Sequence, residues 1–302
     1  MTDRAPNTPA YLAALVANGC LHVPICRELV ADFETPLSCY AKVARGPYSY
    51  LLESANQGGE KWSRFSIIGL PARRILRISG DRLTLTDNGA LTRDEVIEDP
   101  LAEIAKLQEA YSYPSCPGMP NYTGGLVGYF GYDTVRYVES KIKDTAPPDE
   151  LGSADIVLMV SDDVIVFDNV KGRMHLVTHV SDLSPDEMNQ AALRLDAMQG
   201  CLKGALPDEF VAPKISPKLE EHDFVSSYGE DQFKTDVAHL KEYIAAGDVM
   251  QVILSQRLSC SFEAAPLNLY RALRTLNPSP YMYFMDLETV QIVSSSPEIL
   301  AR

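Results

Sequence analysis

The chain has 302 residues, of which 46% are hydrophobic and 23% charged, and its formal net charge is −14. This composition is typical of a globular protein with a sizeable core. The acidic balance disfavours nucleic acid as a partner, because phosphate binding relies on clustered Lys and Arg. The sequence contains no apolar run of the roughly 20 residues that span a bilayer, so we expect no membrane partner either.

The first predicted elements are two capped helices. Thr8 and Pro9 have the pattern of an N-cap residue followed by proline in the first turn. Thr35 and Pro36 repeat that pattern, and Gly46 is a suitable residue to end the second helix.

Strand-like segments then dominate up to residue 95. Residues 48–55 (YSYLLESA) and 64–70 (RFSIIGL) are apolar runs on either side of a Gly58-Gly59 loop. Residues 73–95 alternate apolar and polar side chains, and the Gly80-Asp81 and Asn88-Gly89 pairs predict two hairpin turns. Residues 99–112 have the 3.6-residue apolar period of a surface helix, and this is the next predicted element.

The middle of the chain is rich in glycine and then in β-branched residues. Residues 123–139 begin with glycines and are predicted to become helical. GGLVGYFGY (124–132) lacks the Lys-Ser/Thr of a phosphate-binding P-loop, so its glycines are predicted to allow close backbone packing or bulges. Residues 155–180 predict three antiparallel strands, in which His175 and His179 are expected at the surface or on an edge strand.

The last third alternates helices and strands. Ser184 is the predicted N-cap of a helix over 184–202. The remaining predicted elements are a linker (204–227), two helices (232–248 and 266–276) and three strands (249–262, 281–287 and 290–296). Because strands mostly follow one another without regular βαβ alternation, the sequence predicts an α+β fold with large, mostly antiparallel sheets and flanking helices. The predicted domains are 1–203, the linker 204–227, and 228–302.

Cysteine and histidine spacing indicates no metal site. The six cysteines lack CxxC spacing and the five histidines lack an HxxH pattern. Scattered cysteines in a chain of this size are typical of a reduced, cytoplasmic protein.

Two segments could form a binding site for a small ligand. Glu53 and Ser54 end the apolar run LLES, either as a strand end in solvent or as a polar tip in an apolar pocket, where Glu53 could pair with an ammonium group. NPSPYMYFM (277–285) begins with Pro278 and Pro280, which stiffen the backbone and exclude a helix. It is either a strand start with core side chains or part of a site for an aromatic ammonium compound. The residues alone leave both choices open.

Five ordered segments together resemble the large subunit of anthranilate synthase (component I). These segments are LLESANQGGEKWSRFSIIG, GGLVGYFGYDTVRYVE, IAAGDVMQVILSQRLS, LYRALRTLNPSPYMYFMDL and SSSPEILAR. The resemblance implies a chorismate-utilising fold and the conversion of chorismate and ammonia to anthranilate and pyruvate in tryptophan biosynthesis. It also implies Mg²⁺ as cofactor and a glutamine amidotransferase subunit (component II) as partner.

The resemblance further implies a feedback site for L-tryptophan at Ser54, Pro280, Tyr281 and Met282, aided by Glu53 and Asn277. The proline-rich elbow is then expected to form one wall of the pocket and LLES the opposite wall. No catalytic residue and no metal ligand is predicted in this chain, because the family's motifs for both lie past the position of Arg302.

The last residues, SSSPEILAR, have the pattern of a strand end followed by the start of a turn, and no further element follows the turn, which favours a truncated chain. We therefore expect the 302 residues alone to be inactive. Two alternatives stay open at this point: aminodeoxychorismate synthase component I, a sister enzyme of the same fold, and a non-catalytic amino-acid-sensing module.

Overall fold

The computed structural model describes residues 7–54, 64–111, 113, 116–211 and 218–298. The Gly58-Gly59 loop, part of the predicted linker (212–217) and the last four residues of SSSPEILAR lie outside the described residues. Among the helices in these ranges, none has the length and apolar character that a membrane span requires.

Within these described ranges, fourteen strands are numbered in chain order. They are β1 (Val23–Val30), β2 (Ser49–Glu53), β3 (Phe65–Gly69), β4 (Arg74–Ser79), β5 (Arg82–Asp87), β6 (Ala90–Val96), β7 (Gly125–Phe130), β8 (Ile156–Ser161), β9 (Val164–Asp168), β10 (Arg173–Val180), β11 (Val225–Ser226), β12 (Leu258–Ser259), β13 (Tyr281–Asp286) and β14 (Gln291–Ser296). A seven-stranded sheet has the order β1-β10-β9-β3-β2-β13-β14, and a five-stranded sheet has the order β6-β5-β4-β8-β7. Every neighbouring pair in both sheets is antiparallel, as predicted.

All of the predicted helices are present except the one predicted within residues 123–139. They are α1 (Pro9–Ala17), α2 (Pro36–Val43), α3 (Pro100–Ala110), α4 (Pro185–Leu202), α5 (Asp208–Val211), α6 (Glu230–Ala246) and α7 (Pro266–Leu276). The predicted N-caps are confirmed, because the side chains of Thr8, Thr35 and Ser184 each accept a hydrogen bond from a backbone N–H of the first turn. These bonds satisfy donors that a helix start otherwise leaves unpaired.

The two large sheets pack face to face. Successive side chains of a strand point to opposite faces of its sheet, so these strands supply apolar side chains to both faces. In β2, Leu51 points into a core shared with α1, α2, α4 and α7, whereas its neighbour Tyr50 belongs to a second cluster. That second cluster joins Tyr50 and Met285 of the larger sheet to Val157 and Met159 of the smaller one. A third cluster covers the outer face of the smaller sheet with α3. Helices therefore cover one face of the seven-stranded sheet, and the other face packs on the five-stranded sheet.

The structure corrects four details of the predicted elements. Residues 125–130 form strand β7, and only two short 3-10 helices follow it, Tyr132–Tyr137 and Ser140–Ile142. β1 is a strand that the sequence did not indicate. It is an edge strand, the position in a sheet where a proline such as Pro24 is tolerated. The strands predicted over 155–180 exist, but β8 lies in one sheet and β9 in the other.

The fourth correction concerns residues 249–262, which were predicted to form one long strand. Only Leu258–Ser259 is a strand there, paired with the equally short β11. A strand persists where a neighbouring backbone satisfies its N–H and C=O groups. Among the described residues, this segment has such a neighbour over two residues alone, so the apolar sequence of the segment is not enough.

The chain forms two compact units, and their limits differ from the predicted domains. One unit comprises Met1–Val211 and Pro266–Arg302, and the other comprises Ala212–Ala265. Residues 266–302 belong to the first unit because β13 hydrogen-bonds to β2 in the seven-stranded sheet, next to the edge strand β14. The second unit contains α6 and the β11–β12 pair.

Candidate functional site

The two segments predicted to form a site lie side by side in the seven-stranded sheet. β2 ends at Glu53 and β13 begins at Tyr281, and the antiparallel register places Met282 directly opposite Glu53. On its other side Met282 pairs with Ser295 of β14. The predicted opposite walls are therefore wrong in geometry: LLES and the elbow are adjacent parts of one surface, because continuous backbone hydrogen bonds join their strands.

Ser54 follows β2 and has a buried hydroxyl group without a partner. Among the described residues, only the Ser54 Oγ and His179 Nε2 atoms are buried side-chain polar atoms with no hydrogen bond. An unsatisfied buried hydroxyl typically costs about 1–3 kcal/mol, and a native protein that keeps one calls for an explanation. The Ser54 hydroxyl is free to donate to, or accept from, a ligand at this end of the sheet.

The elbow before β13 is held against the end of β14. The Ser279 hydroxyl donates a hydrogen bond to the carbonyl oxygen of Ser296, and the Ser295 hydroxyl donates one to the carbonyl oxygen of Asn277 at 2.6 Å. Pro280 and Tyr281 are half-buried, while the Asn277 residue is exposed. Together with the fixed φ of proline, these bonds give the elbow a preformed shape, which lowers the entropy lost when a ligand binds.

The Glu53 carboxylate is buried and is held by two side chains of α7. The Tyr270 hydroxyl donates to Oε2 at 2.7 Å, and Arg274 reaches both oxygens, with Nη2 3.2 Å from Oε1 and Nε 3.1 Å from Oε2. Burial, reinforced by the Glu53 charge, raises the pKa of Tyr270 above its ordinary value, so this hydroxyl stays protonated and donates. Glu53 is 6% exposed, which rules out a strand end that reaches solvent.

The structure therefore brings five of the six predicted residues, Glu53, Ser54, Pro280, Tyr281 and Met282, to one end of the β2–β13 pair, with Asn277 at the start of the elbow. Tyr270 and Arg274 were not predicted from the sequence. A signal for them existed: the two residues are four apart on an amphipathic helix that runs directly into NPSPYM, so they share one helix face.

A cavity of about 270 Å³ lies at the opposite end of β13. Its lining includes Arg77, Tyr129, Leu287 and the loop 151–154, but none of the predicted site residues. It is therefore distinct from the site at Ser54 and Met282.

The described residues do not fit a metal ion. No group of three or more His, Cys, Asp and Glu side chains is close enough to form a ligand set within the described ranges. The described residues thus hold no ready-made cluster of three such ligands for the Mg²⁺ that the family resemblance implies.

Comparisons with known proteins agree with the resemblance found in the sequence. A family model described as chorismate binding enzyme matches residues 48–302. The chain is 46% identical over 288 residues to anthranilate synthase component 1 of Pseudomonas putida, covering 95% of this chain and 58% of the relative. It is 43% identical over 296 residues to the protein of that name from Neisseria meningitidis serogroup B strain MC58, covering 96% and 58%.

A solved structure has the same fold. Anthranilate synthase component I from Streptococcus pneumoniae TIGR4 superposes with a TM-score of 0.63 at 26% identity, covering 89% of this chain and 57% of that chain. This chain thus spans a little over half the length of the relatives it matches. The predicted resemblance and the predicted antiparallel α+β class are both confirmed. Since the family model covers most of the sequence, the chain belongs to the chorismate binding enzyme family.

Proposed function

We propose that the protein acts as the large subunit of an anthranilate synthase, which forms anthranilate and pyruvate from chorismate and ammonia. The observation that carries this proposal is the 46% identity to anthranilate synthase component 1 over 95% of the chain. The component naming of the relatives is consistent with a second subunit, and we propose a glutamine amidotransferase that supplies ammonia.

We further propose that the end of the β2–β13 pair binds L-tryptophan as a feedback inhibitor. The buried Ser54 hydroxyl has no hydrogen-bond partner and offers one to a ligand. The half-buried rings of Pro280 and Tyr281 offer apolar contacts suited to an indole. Met282 is 1% exposed and packed in the main core, so its sulfur would contact an indole only after a local rearrangement. Ser54, Pro280, Tyr281 and Met282 are thus the proposed core of the site, with Glu53 and Asn277 as polar neighbours.

Two further parts of the proposal concern the cofactor and the location. Mg²⁺ is proposed as the cofactor on the family resemblance, with no cluster of three or more His, Cys, Asp or Glu side chains among the described residues. A cytoplasmic location is proposed because none of the six cysteines, all of which are described, is paired in a disulfide.

The activity is tested by following anthranilate fluorescence in a mixture of chorismate, ammonium and Mg²⁺. Residues 1–302 alone are expected to give no product, because the resemblance places the catalytic motifs in the part of the relatives that this chain does not match. When the chain is joined to that part of the Pseudomonas putida relative, we expect anthranilate and inhibition by L-tryptophan. An active fusion that releases aminodeoxychorismate, or one that L-tryptophan leaves untouched, would contradict the proposal.

A further inference from the structure

The ion pair between Glu53 and Arg274 lies inside the proposed amino-acid site. Glu53 is next to Ser54 in sequence and opposite Met282 in the sheet. Both of its carboxylate oxygens are engaged, Oε1 by Arg274 Nη2 and Oε2 by Arg274 Nε and the Tyr270 hydroxyl. An amino-acid ligand brings an ammonium group, and Glu53 is a buried acid directly before Ser54, whose hydroxyl has no partner.

A second cation cannot join this carboxylate without repulsion. The guanidinium already spans both oxygens, so an ammonium group at hydrogen-bonding distance from Glu53 would lie within a few ångströms of a like charge. One negative charge neutralises one positive charge, and in a buried position the surplus charge is poorly screened.

The two members of the pair differ sharply in how easily they can leave. The Arg274 side chain is 41% exposed, whereas that of Glu53 is 3% exposed. The guanidinium can swing into solvent on its flexible stem and be hydrated there. The carboxylate cannot follow it, because an unpaired buried charge is strongly unfavourable. Arg274 is therefore the member of the pair that another cation would displace from the Glu53 carboxylate.

Release of Arg274 also has a structural consequence. Arg274 is in the last turn of α7, and Asn277 and the proline elbow follow immediately. Tyr270 is fully buried and anchors the middle of the helix. When Arg274 leaves Glu53, the last turn loses its link to β2 while the rest of α7 stays docked.

From these observations we propose that Arg274 competes with the ammonium group of the ligand for Glu53, and that this exchange couples amino-acid binding to the last turn of α7 and the elbow. The inference rests on the proposed L-tryptophan site and adds its regulatory element. A ligand must displace an internal counter-ion, so Arg274 weakens binding and links it to a local conformational change.

The test is calorimetric titration of L-tryptophan into the purified protein and its Arg274→Gln variant. Because the variant has no competing guanidinium, we expect it to bind about tenfold more tightly, the size expected for a partly buried ion pair. Indole-3-propionate, which lacks the ammonium group, is expected to show no such gain. Arg274→Lys, which cannot engage both oxygens at once, should show a smaller gain and serves if the Gln variant does not fold.

Arg64→Gln is the matched control. Arg64 pairs with Asp168 at 2.7 Å, with side-chain exposures of 39% and 4% that nearly equal those of the Arg274 pair. This control should leave the affinity for L-tryptophan unchanged. If the wild type binds L-tryptophan and Arg274→Gln binds it no more tightly, the exchange is overturned and the tryptophan site stands. The same conclusion follows if Arg64→Gln gains as much affinity as Arg274→Gln. No binding by any folded variant overturns both.

Discussion

At the scale of single residues, His179 has an environment that its sequence did not indicate. It was expected at the surface or on an edge strand, but it is 6% exposed and lies in β10, between β1 and β9. Its Nδ1 is 2.7 Å from the carbonyl oxygen of Asp162, so Nδ1 carries the proton and donates, and Nε2 has no partner. Burial lowers the pKa of His179 from 6.5 to about 4, although the Asp162 and Asp163 carboxylates oppose this shift.

This lowered pKa predicts that the protein loses stability in mild acid. Because the unfolded chain binds the proton more readily, the stabilisation is complete above pH 6.5 and declines as the pH falls through about 4. We expect the free energy of unfolding to fall by about 3 kcal/mol more in the wild type than in His179→Phe over this range. Urea unfolding at several pH values measures it, with the difference at pH 7.5 giving the packing effect of the substitution. If the free energy of unfolding of the wild type and that of His179→Phe fall in parallel with pH, the lowered pKa of His179 is contradicted.

The site residues show what a local sequence can and cannot indicate. Glu53 and Ser54 stood out because two polar residues end an apolar run. The partners of Glu53 were not predictable in this way, since Tyr270 is 217 residues away and Arg274 is 221 residues away. Contacts of that separation depend on which strands pair, and periodicity in a single sequence does not specify strand pairing.

At the scale of elements, β7 is positioned by a glycine. A Cβ atom on Gly128 would lie 1.8 Å from the Val157 carbonyl oxygen of β8, and this neighbour is backbone that cannot rotate away. The GGLVGYFGY glycines were predicted to allow close backbone packing or bulges, and Gly128 is a case of close packing.

Gly128→Ala is therefore expected to lower the free energy of unfolding by about 3 kcal/mol, because β7 must move off β8 to make room. Gly200→Ala is the control: Gly200 lies in α4 with no atom within 4 Å of an added Cβ. There the loss of backbone freedom in the unfolded chain should raise stability by about 0.5–1 kcal/mol. Denaturant unfolding compares the two. A Gly128→Ala variant as stable as the wild type would contradict the close approach of β7 and β8.

Elements defined by local chemistry were the easiest to predict. The N-caps at Thr8, Thr35 and Ser184 and the turns at Gly80 and Asn88-Gly89 are set by residues a few positions apart. The strand expected over 249–262 was wrong for the opposite reason. Its sequence is suited to a strand, but strand formation depends on a partner that the same residues cannot supply.

At the scale of the whole molecule, the fold class followed from the order of strands and helices, but the sheet order did not. β13 and β14 join the seven-stranded sheet next to β2, more than 200 residues earlier in the chain. This arrangement unites the two segments of the candidate site. The likeness to anthranilate synthase component 1 covers 95% of this chain and 58% of the Pseudomonas putida relative, so both segments lie within the shared part.

The central claim is that L-tryptophan binds at Ser54 and the start of β13, and its most direct test is calorimetry on Ser54→Ala beside Ser161→Ala. The Ser54 hydroxyl is buried without a partner, so its removal should raise the free energy of unfolding by about 1 kcal/mol or more but weaken L-tryptophan binding about tenfold or more. The buried Ser161 hydroxyl bonds Tyr50 at 2.8 Å, so its removal should cost about 1 kcal/mol of stability and leave affinity unchanged. Unaltered L-tryptophan binding by Ser54→Ala, or none by the folded wild type, would contradict the account.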